Sequence, residues 1–273
     1  AERQIIDMHT HAWKNLEISR HNRLQTGDLV KGIGSLSRSA EKNGIESCLV
    51  YLTYPDILID KEKTAIFEKA VTSSGDFSNL RFGICLDPDE KDYERMLTEA
   101  AKLGMRSIKF ATYEQGISEG YYENIGKIAG KADELGFFIS VCCTYGSKNI
   151  YRYDGIKLVI YLTETVECPI IMAHAGGARV FDAMSVALEC PNIYMDLSFT
   201  PVYWKGSTVL KDLAFAVRKV GPERFFFGSD YPFMPFHEAE EGLRDFLCEY
   251  GFSAGEAEQI MYKNGKRFLN DYF

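Results

Sequence analysis

Eight short apolar runs alternate with helix-like segments along this 273-residue chain, and that alternation restricts the fold more than any other feature. The runs are Ile5 to His11, Ile45 to Thr53, Arg81 to Asp87, Met105 to Thr112, Phe137 to Cys143, Pro169 to Ala175, Asn192 to Ser198 and Arg224 to Asp230. Between them lie amphipathic patterns such as Asp89 to Leu103, with Tyr93, Met96, Leu97 and Ala100 on one face and Gly104 after the end. Strands that are apolar nearly throughout are buried on both faces, and parallel strands need a crossover helix each. The count of eight predicts a single (β/α)8 barrel, a TIM barrel, over residues 1–273. A doubly wound open sheet is the alternative. No repeat, low-complexity segment or Pro/Gly/Ser-rich linker divides the series.

A barrel of this kind concentrates its chemistry at the C-terminal ends of its strands. His9 and His11 end the first strand, Asp87 the third, Cys142 and Cys143 the fifth, His174 the sixth and Asp230 the eighth, with Lys109 near the end of the fourth. Alternation along the first strand predicts Asp7, His9 and His11 on one face and Ile6, Met8 and Thr10 on the other. Two imidazoles at that spacing suit one metal ion, although a His-x-His pair that only hydrogen-bonds locally fits the same stretch. His21 and His237 fall in polar stretches and are expected to be exposed.

Net charge is −8 with no Lys/Arg cluster, which argues against nucleic acid or an anionic membrane surface and leaves a small molecule as the expected partner. No run is apolar for the ~18 residues a membrane span needs, and the N-terminus lacks signal-peptide features, so the expected location is the cytoplasm. The seven cysteines are scattered, forming neither a disulfide framework nor a CxxC metal site.

The segments Asp7-Met8-His9-Thr10-His11, Met172-Ala173-His174-Ala175-Gly176-Gly177, Phe227-Gly228-Ser229-Asp230-Tyr231-Pro232 and Tyr262-Lys263-Asn264-Gly265-Lys266-Arg267-Phe268 resemble, in strand order, the amidohydrolase superfamily. They are most similar to the branch related to aminocarboxymuconate semialdehyde decarboxylase. The resemblance implies a TIM barrel and one divalent metal, most often zinc, held by His9, His11 and Asp230, with His174 beside the substrate. It also suggests a homodimer. Members include hydrolases of amides and lactones and non-oxidative decarboxylases, so a metal-dependent hydrolase is the first expectation and a decarboxylase of an aromatic or dienoic acid the alternative.

The branch commonly has a metal-binding histidine at the end of strand 5, where this chain reads Ser140-Val141-Cys142-Cys143-Thr144. Either the Cys142 thiolate replaces the imidazole, or the metal has fewer protein ligands, or the metal is lost. A barrel reduced to a binding or regulatory role is the non-enzymatic alternative. Alternation and the small polar Ser140 place Cys142, not Cys143, toward the interior. Asp7 is read as support for a ligand histidine, and Asp87 as either a site group or a cap on the following helix. Lys109 is where some superfamily members carry a carboxylated lysine; a structural or substrate-anion role is expected here. Tyr51, Tyr113, Tyr145, Trp204, Tyr231 and Phe233 are candidate pocket walls for a flat substrate, of which Tyr113 and Tyr231 are carried as substrate-binding residues. Arg179 is a candidate for a substrate carboxylate, or for a surface salt bridge. Alanine at His9, His11 or Asp230 should each remove most of the metal, because a three-ligand site is lost in one step. Metal analysis of protein purified without chelator checks this; full metal retention by His11→Ala refutes the ligand set.

Overall fold

A computed structural model describes residues 4–12, 26–53, 55–73, 77–144 and 148–273. Residues 13–25, with His21, and Tyr145 fall outside these residues. Eight parallel strands stand in sequence order in one sheet. They are β1 (Ile5–His11), β2 (Ile45–Leu52), β3 (Leu80–Cys85), β4 (Ser107–Phe110), β5 (Phe138–Cys142), β6 (Ile170–Ala173), β7 (Ile193–Asp196) and β8 (Phe225–Phe226). Helices return the chain between them, among them Tyr93–Lys102, Tyr122–Glu134, Gly155–Thr163, Val180–Glu189 and Val209–Val220. Gly104 and Gly136, at φ +79° and +74°, take the left-handed turn that lets the chain leave a helix and enter the next strand. The architecture is the expected TIM barrel, and among the described residues no helix is long and apolar enough to cross a membrane.

The last strand is shorter than its apolar run. β8 pairs with β7 only through Phe225 and Phe226, because Gly228-Ser229-Asp230 turns out of the extended conformation and Asp230 sits at φ +63°. The barrel is instead closed by hydrogen bonds along β1: Met8 N to Phe227 O (2.9 Å), Asp230 N to His9 O (2.8 Å) and His11 N to Tyr231 O (2.7 Å). The helix expected from Asp89 begins at Tyr93, so Asp87 lies upstream of it, exposed and not at its cap.

The interior is built in tiers, as parallel barrels are when alternate residues of each strand point inward. At the bottom, Phe138, Tyr194 and Phe226 pack around Phe268 of the final helix Asn264–Tyr272, with ring centroids 4.9–5.2 Å apart. Above them Tyr51, Ser107 and Ser140 are buried. Lys109 and Cys142 come two residues further up β4 and β5, and Asp196 two residues beyond Tyr194 on β7, at the mouth. The opposite residues, among them Ile108, Ile139, Val141 and Cys143, pack in the larger cluster shared with the helices.

β1 departs from simple alternation. Its register on β2 shifts between Asp7 and Thr10, a bulge that opposes an extra residue of β1 to its partner. Ile6 and Met8 therefore belong to the interior cluster, yet His9 and His11 also reach the interior higher up. Asp7, expected beside the histidines, turns back on the backbone: its Oδ1 accepts from His9 N and Ser229 N, both at 3.0 Å, and ties β1 to the chain after β8.

Burial of Asp7, opposed only in part by its hydrogen bonds to Ser229 and His9, raises its carboxyl to about 7. Its Oδ2 is buried with no hydrogen-bond partner among the described residues. Between pH 4 and 7 the folded chain therefore binds a proton at Asp7 that the unfolded chain releases, and stability contributed by this group is lost as pH rises through that window. Asp7→Asn keeps an oxygen for both amides and removes the charge. Denaturant unfolding without added metal should give the two proteins similar stability near pH 4 and favour the variant by up to about 4 kcal/mol at pH 8. Parallel pH–stability curves would exclude this role for Asp7.

Candidate active site

The bulge in β1 delivers His9 to the centre of the mouth. Its Nδ1 faces Asp196 Oδ2 at 3.0 Å, so the proton sits on Nδ1 and the Nε2 lone pair points into the barrel. His11 is oriented the same way, with Nδ1 3.3 Å from the Tyr51 carbonyl. Asp230 Oδ1 lies 3.3 Å from His9 Nε2 and 3.2 Å from His11 Nε2. His9, His11 and Asp230 thus offer three ligand atoms within 4.8 Å of one another, and their donor chemistry fits one divalent ion. Burial, with the charge of Lys109, lowers His11 to about 3 and keeps it neutral, the form that ligates. Burial alone would raise Asp230, but His9, the hydrogen bond to His11 and His174 together hold it well below the usual carboxylate range.

A second buried cluster, His9, His174 and Asp196, is joined by hydrogen bonds. His174 follows β6 at φ +64°, in a turn where Ala175, Gly176 and Gly177 also have positive φ. Its amide donates to Asp196 Oδ1 at 3.1 Å, and its Nδ1 lies 2.8 Å from Ser198 Oγ and 3.1 Å from Ser198 O. The ring stacks on His9 at 5.0 Å between centroids. Burial lowers His174 to about 4, against the pull of Asp230. Asp196 is the hub: besides His9 and His174 it accepts from the Ser198 amide at 3.0 Å and from the Ser198 hydroxyl. Burial would raise Asp196, yet the charge and hydrogen bond of His9 hold it well below the carboxylate range.

Lys109 completes the ring, with Nζ 2.5 Å from His9 Nε2 and 3.4 Å from His11 Nε2 and 4.9 Å above the Tyr51 ring. A cavity of about 390 Å³ opens over these groups. Its polar side is His11, Lys109, Glu114, Cys142, His174 and Asp230, and its aromatic side is Tyr113, Phe199, Tyr203 and Phe233.

A family model described as amidohydrolase (Amidohydro_2) matches residues 6–270. The chain belongs to the amidohydrolase family. Among curated protein sequences none matches it. It is similar in structure to a 2,6-dihydroxybenzoate decarboxylase from Rhizobium (TM-score 0.64, 13% identity, covering 98% of this chain and 99% of the other). It is also similar to a probable 2-pyrone-4,6-dicarboxylic acid hydrolase from Acinetobacter baumannii, solved with citric acid bound (0.65, 13%, 97% and 99%). A dihydroxybenzoic acid decarboxylase from Polaromonas, solved with manganese and an inhibitor, is a third (0.60, 13%, 97% and 96%). At these identities the likeness shows the fold alone.

Three sequence expectations take a different place in the structure. Cys142 lines the cavity and Cys143 does not, but the Cys142 sulfur faces Thr144 O at 3.5 Å and belongs to neither ligand cluster among the described residues. Burial pushes that thiol up to about 12, so as it stands it is no thiolate. Arg179 is not among the cavity residues: its Nη1 pairs with Asp154 at 2.9 Å and its Nε with Asp182 at 2.8 Å at the start of the helix Val180–Glu189. Tyr231 also lies outside the cavity, stacked on Phe236 at 4.5 Å.

Asp196 and Ser198, Glu114, Phe199 and Tyr203 were not singled out from sequence. Asp196 ends β7 and carried the same strand-end signal as Asp230, whereas Phe199 and Tyr203 come in on the short helical turn Thr200–Tyr203, which no periodicity announces. Asp196→Asn leaves His9 without its anionic partner and should weaken metal binding by roughly 10–100-fold, read by cobalt titration of the refolding-competent protein. Unchanged affinity would show that His9 does not need Asp196 to present Nε2.

Proposed function

We propose that this amidohydrolase is a metal-dependent hydrolase acting on an amide, lactone or related carbonyl bond of a small, flat molecule. The observation that carries the reading is the convergence of His9 Nε2, His11 Nε2 and an ionised Asp230 at the floor of a cavity walled by aromatic rings. One divalent ion, zinc by the character of its ligands, would be held by His9, His11 and Asp230 and when bound supplies the charge that polarises a carbonyl and brings the pKa of water toward ~7. Asp230, held as the carboxylate, takes the proton from the attacking water and returns it to the leaving group. His174, neutral and fixed through Nδ1 by Ser198, orients the scissile carbonyl. Tyr113, Phe199, Tyr203 and Phe233 hold the plane of the substrate and exclude bulk water.

Decarboxylation of an aromatic acid is the second reading, favoured by one observation. Lys109 offers a cation for the carboxylate, and Glu114, whose carboxyl burial raises against the pull of Lys109, lines the same cavity.

Turnover of a panel that includes 2-pyrone-4,6-dicarboxylate and 2,6-dihydroxybenzoate, run in water enriched in oxygen-18, separates the two. Hydrolysis should place one labelled oxygen in the organic product and release no carbon dioxide, whereas release of carbon dioxide with an organic product that carries no label would establish decarboxylation. His174→Asn should keep its metal and lose about 100-fold or more in kcat/KM. Loss of the metal on that change would make His174 a ligand instead.

A further inference from the structure

Lys109 stands where a metal ion would have to stand. The lone pairs of His9 Nε2 and His11 Nε2 both meet its Nζ, at 2.5 and 3.4 Å, and its hydrogen-bond partners are these imidazoles, not a carboxylate. A dication and an ammonium cannot share that point, since their repulsion a few ångströms apart in a buried site is severe. The strand end holds the Lys109 backbone while its four-carbon stem leaves the tip free to change partners. One group in the same cavity is suited to receive the tip. Glu114 follows β4 through the helical turn Thr112–Gln115, lines the cavity beside Lys109, and accepts no hydrogen bond among the described residues. Burial and Asp230 act against its ionisation, and among the charges that favour it Lys109 acts more strongly than His9.

We infer that Lys109 is a two-position cation: its ammonium competes with a divalent ion for the lone pairs of His9 and His11, and Glu114 receives it when an ion is bound there. This rests on the proposal that His9, His11 and Asp230 bind an ion. Glu114 is then a positioning residue, acting on the metal only through Lys109. No bond is made or broken. Metal affinity becomes the balance between ligation and the displacement of one internal ammonium, and a substrate anion attracted to Lys109 would meet it at the Glu114 side only in the metal-loaded state.

Cobalt(II) serves as the probe, with affinity from calorimetric titration and the ligand field from visible absorption. Lys109→Met, which keeps the stem and removes the charge, should bind cobalt at least about tenfold more tightly than the parent, and Glu114→Gln at least about threefold more weakly. The double variant should bind as tightly as Lys109→Met alone, and Glu114→Asp should recover part of the loss. Unchanged affinity in Lys109→Met overturns the inference, and weaker affinity would make Lys109 a ligand, directly or as its carbamate. A Glu114→Gln effect that survives undiminished in the Lys109→Met background overturns the positioning role. Should Lys109→Met fail to fold, Lys109→Gln carries the same expectation. If folded parent and folded Lys109 variants alike take up no cobalt, the metal reading itself fails, an outcome distinct from equal binding by parent and variant.

Discussion

The contact between His9 Nδ1 and the Asp196 carboxylate holds the mouth of this barrel together. It joins β1 to β7 above the short β8, where the sheet has only two paired residues to do so. A buried carboxylate is costly unless its oxygens are satisfied, and Asp196 meets that demand with His9, the amides of His174 and Ser198, and the Ser198 hydroxyl. The same bonds set the tautomer of one proposed ligand and the place of the proposed substrate-facing histidine. Structure and chemistry are inseparable here: removing the carboxylate would take one acceptor from each of His9 Nδ1, the amides of His174 and Ser198, and the Ser198 hydroxyl, all of them buried.

Close packing around this contact leaves little freedom. A methyl group on Gly228 would lie 2.9 Å from His9 Cβ and 3.0 Å from Ser198 Cβ, so the backbone after β8 presses against both residues that Asp196 organises. Below, the Phe268 plug and its aromatic neighbours close the bottom of the barrel. The polar groups at the mouth thus sit above an apolar cluster that includes Ile6, Met8, Phe138, Phe226 and Phe268.

Much of this was legible in the sequence because two strong periodicities announced it. Apolar runs of strand length separated by helical patterns fixed the barrel, and strand-end logic found His9, His11, His174, Asp230 and Lys109. What escaped did so for physical reasons. The bulge between Asp7 and Thr10 is a register event that leaves no mark on composition, so the face shared by Asp7 and the histidines was misjudged. The eighth run overstated its strand because an apolar residue buries equally well in a turn packed on β1 as in a ladder. Arg179 and Tyr231 follow strand ends in sequence yet turn outward to Asp154, Asp182 and Phe236, choices made by tertiary neighbours. Glu114 and Tyr203 reach the cavity on short helical turns that no pattern foretells.

His174 and Asp230 both have left-handed backbones, at φ +64° and +63°, a conformation that costs a side-chain-bearing residue on the order of 1 kcal/mol or more. Glycine would adopt either angle without that penalty. The two positions proposed to act on substrate are therefore positions where the fold alone would prefer something else. Replacing either residue by glycine would be expected to relieve that backbone cost while removing the side chain that faces the mouth, so stability and activity make opposite demands at both positions.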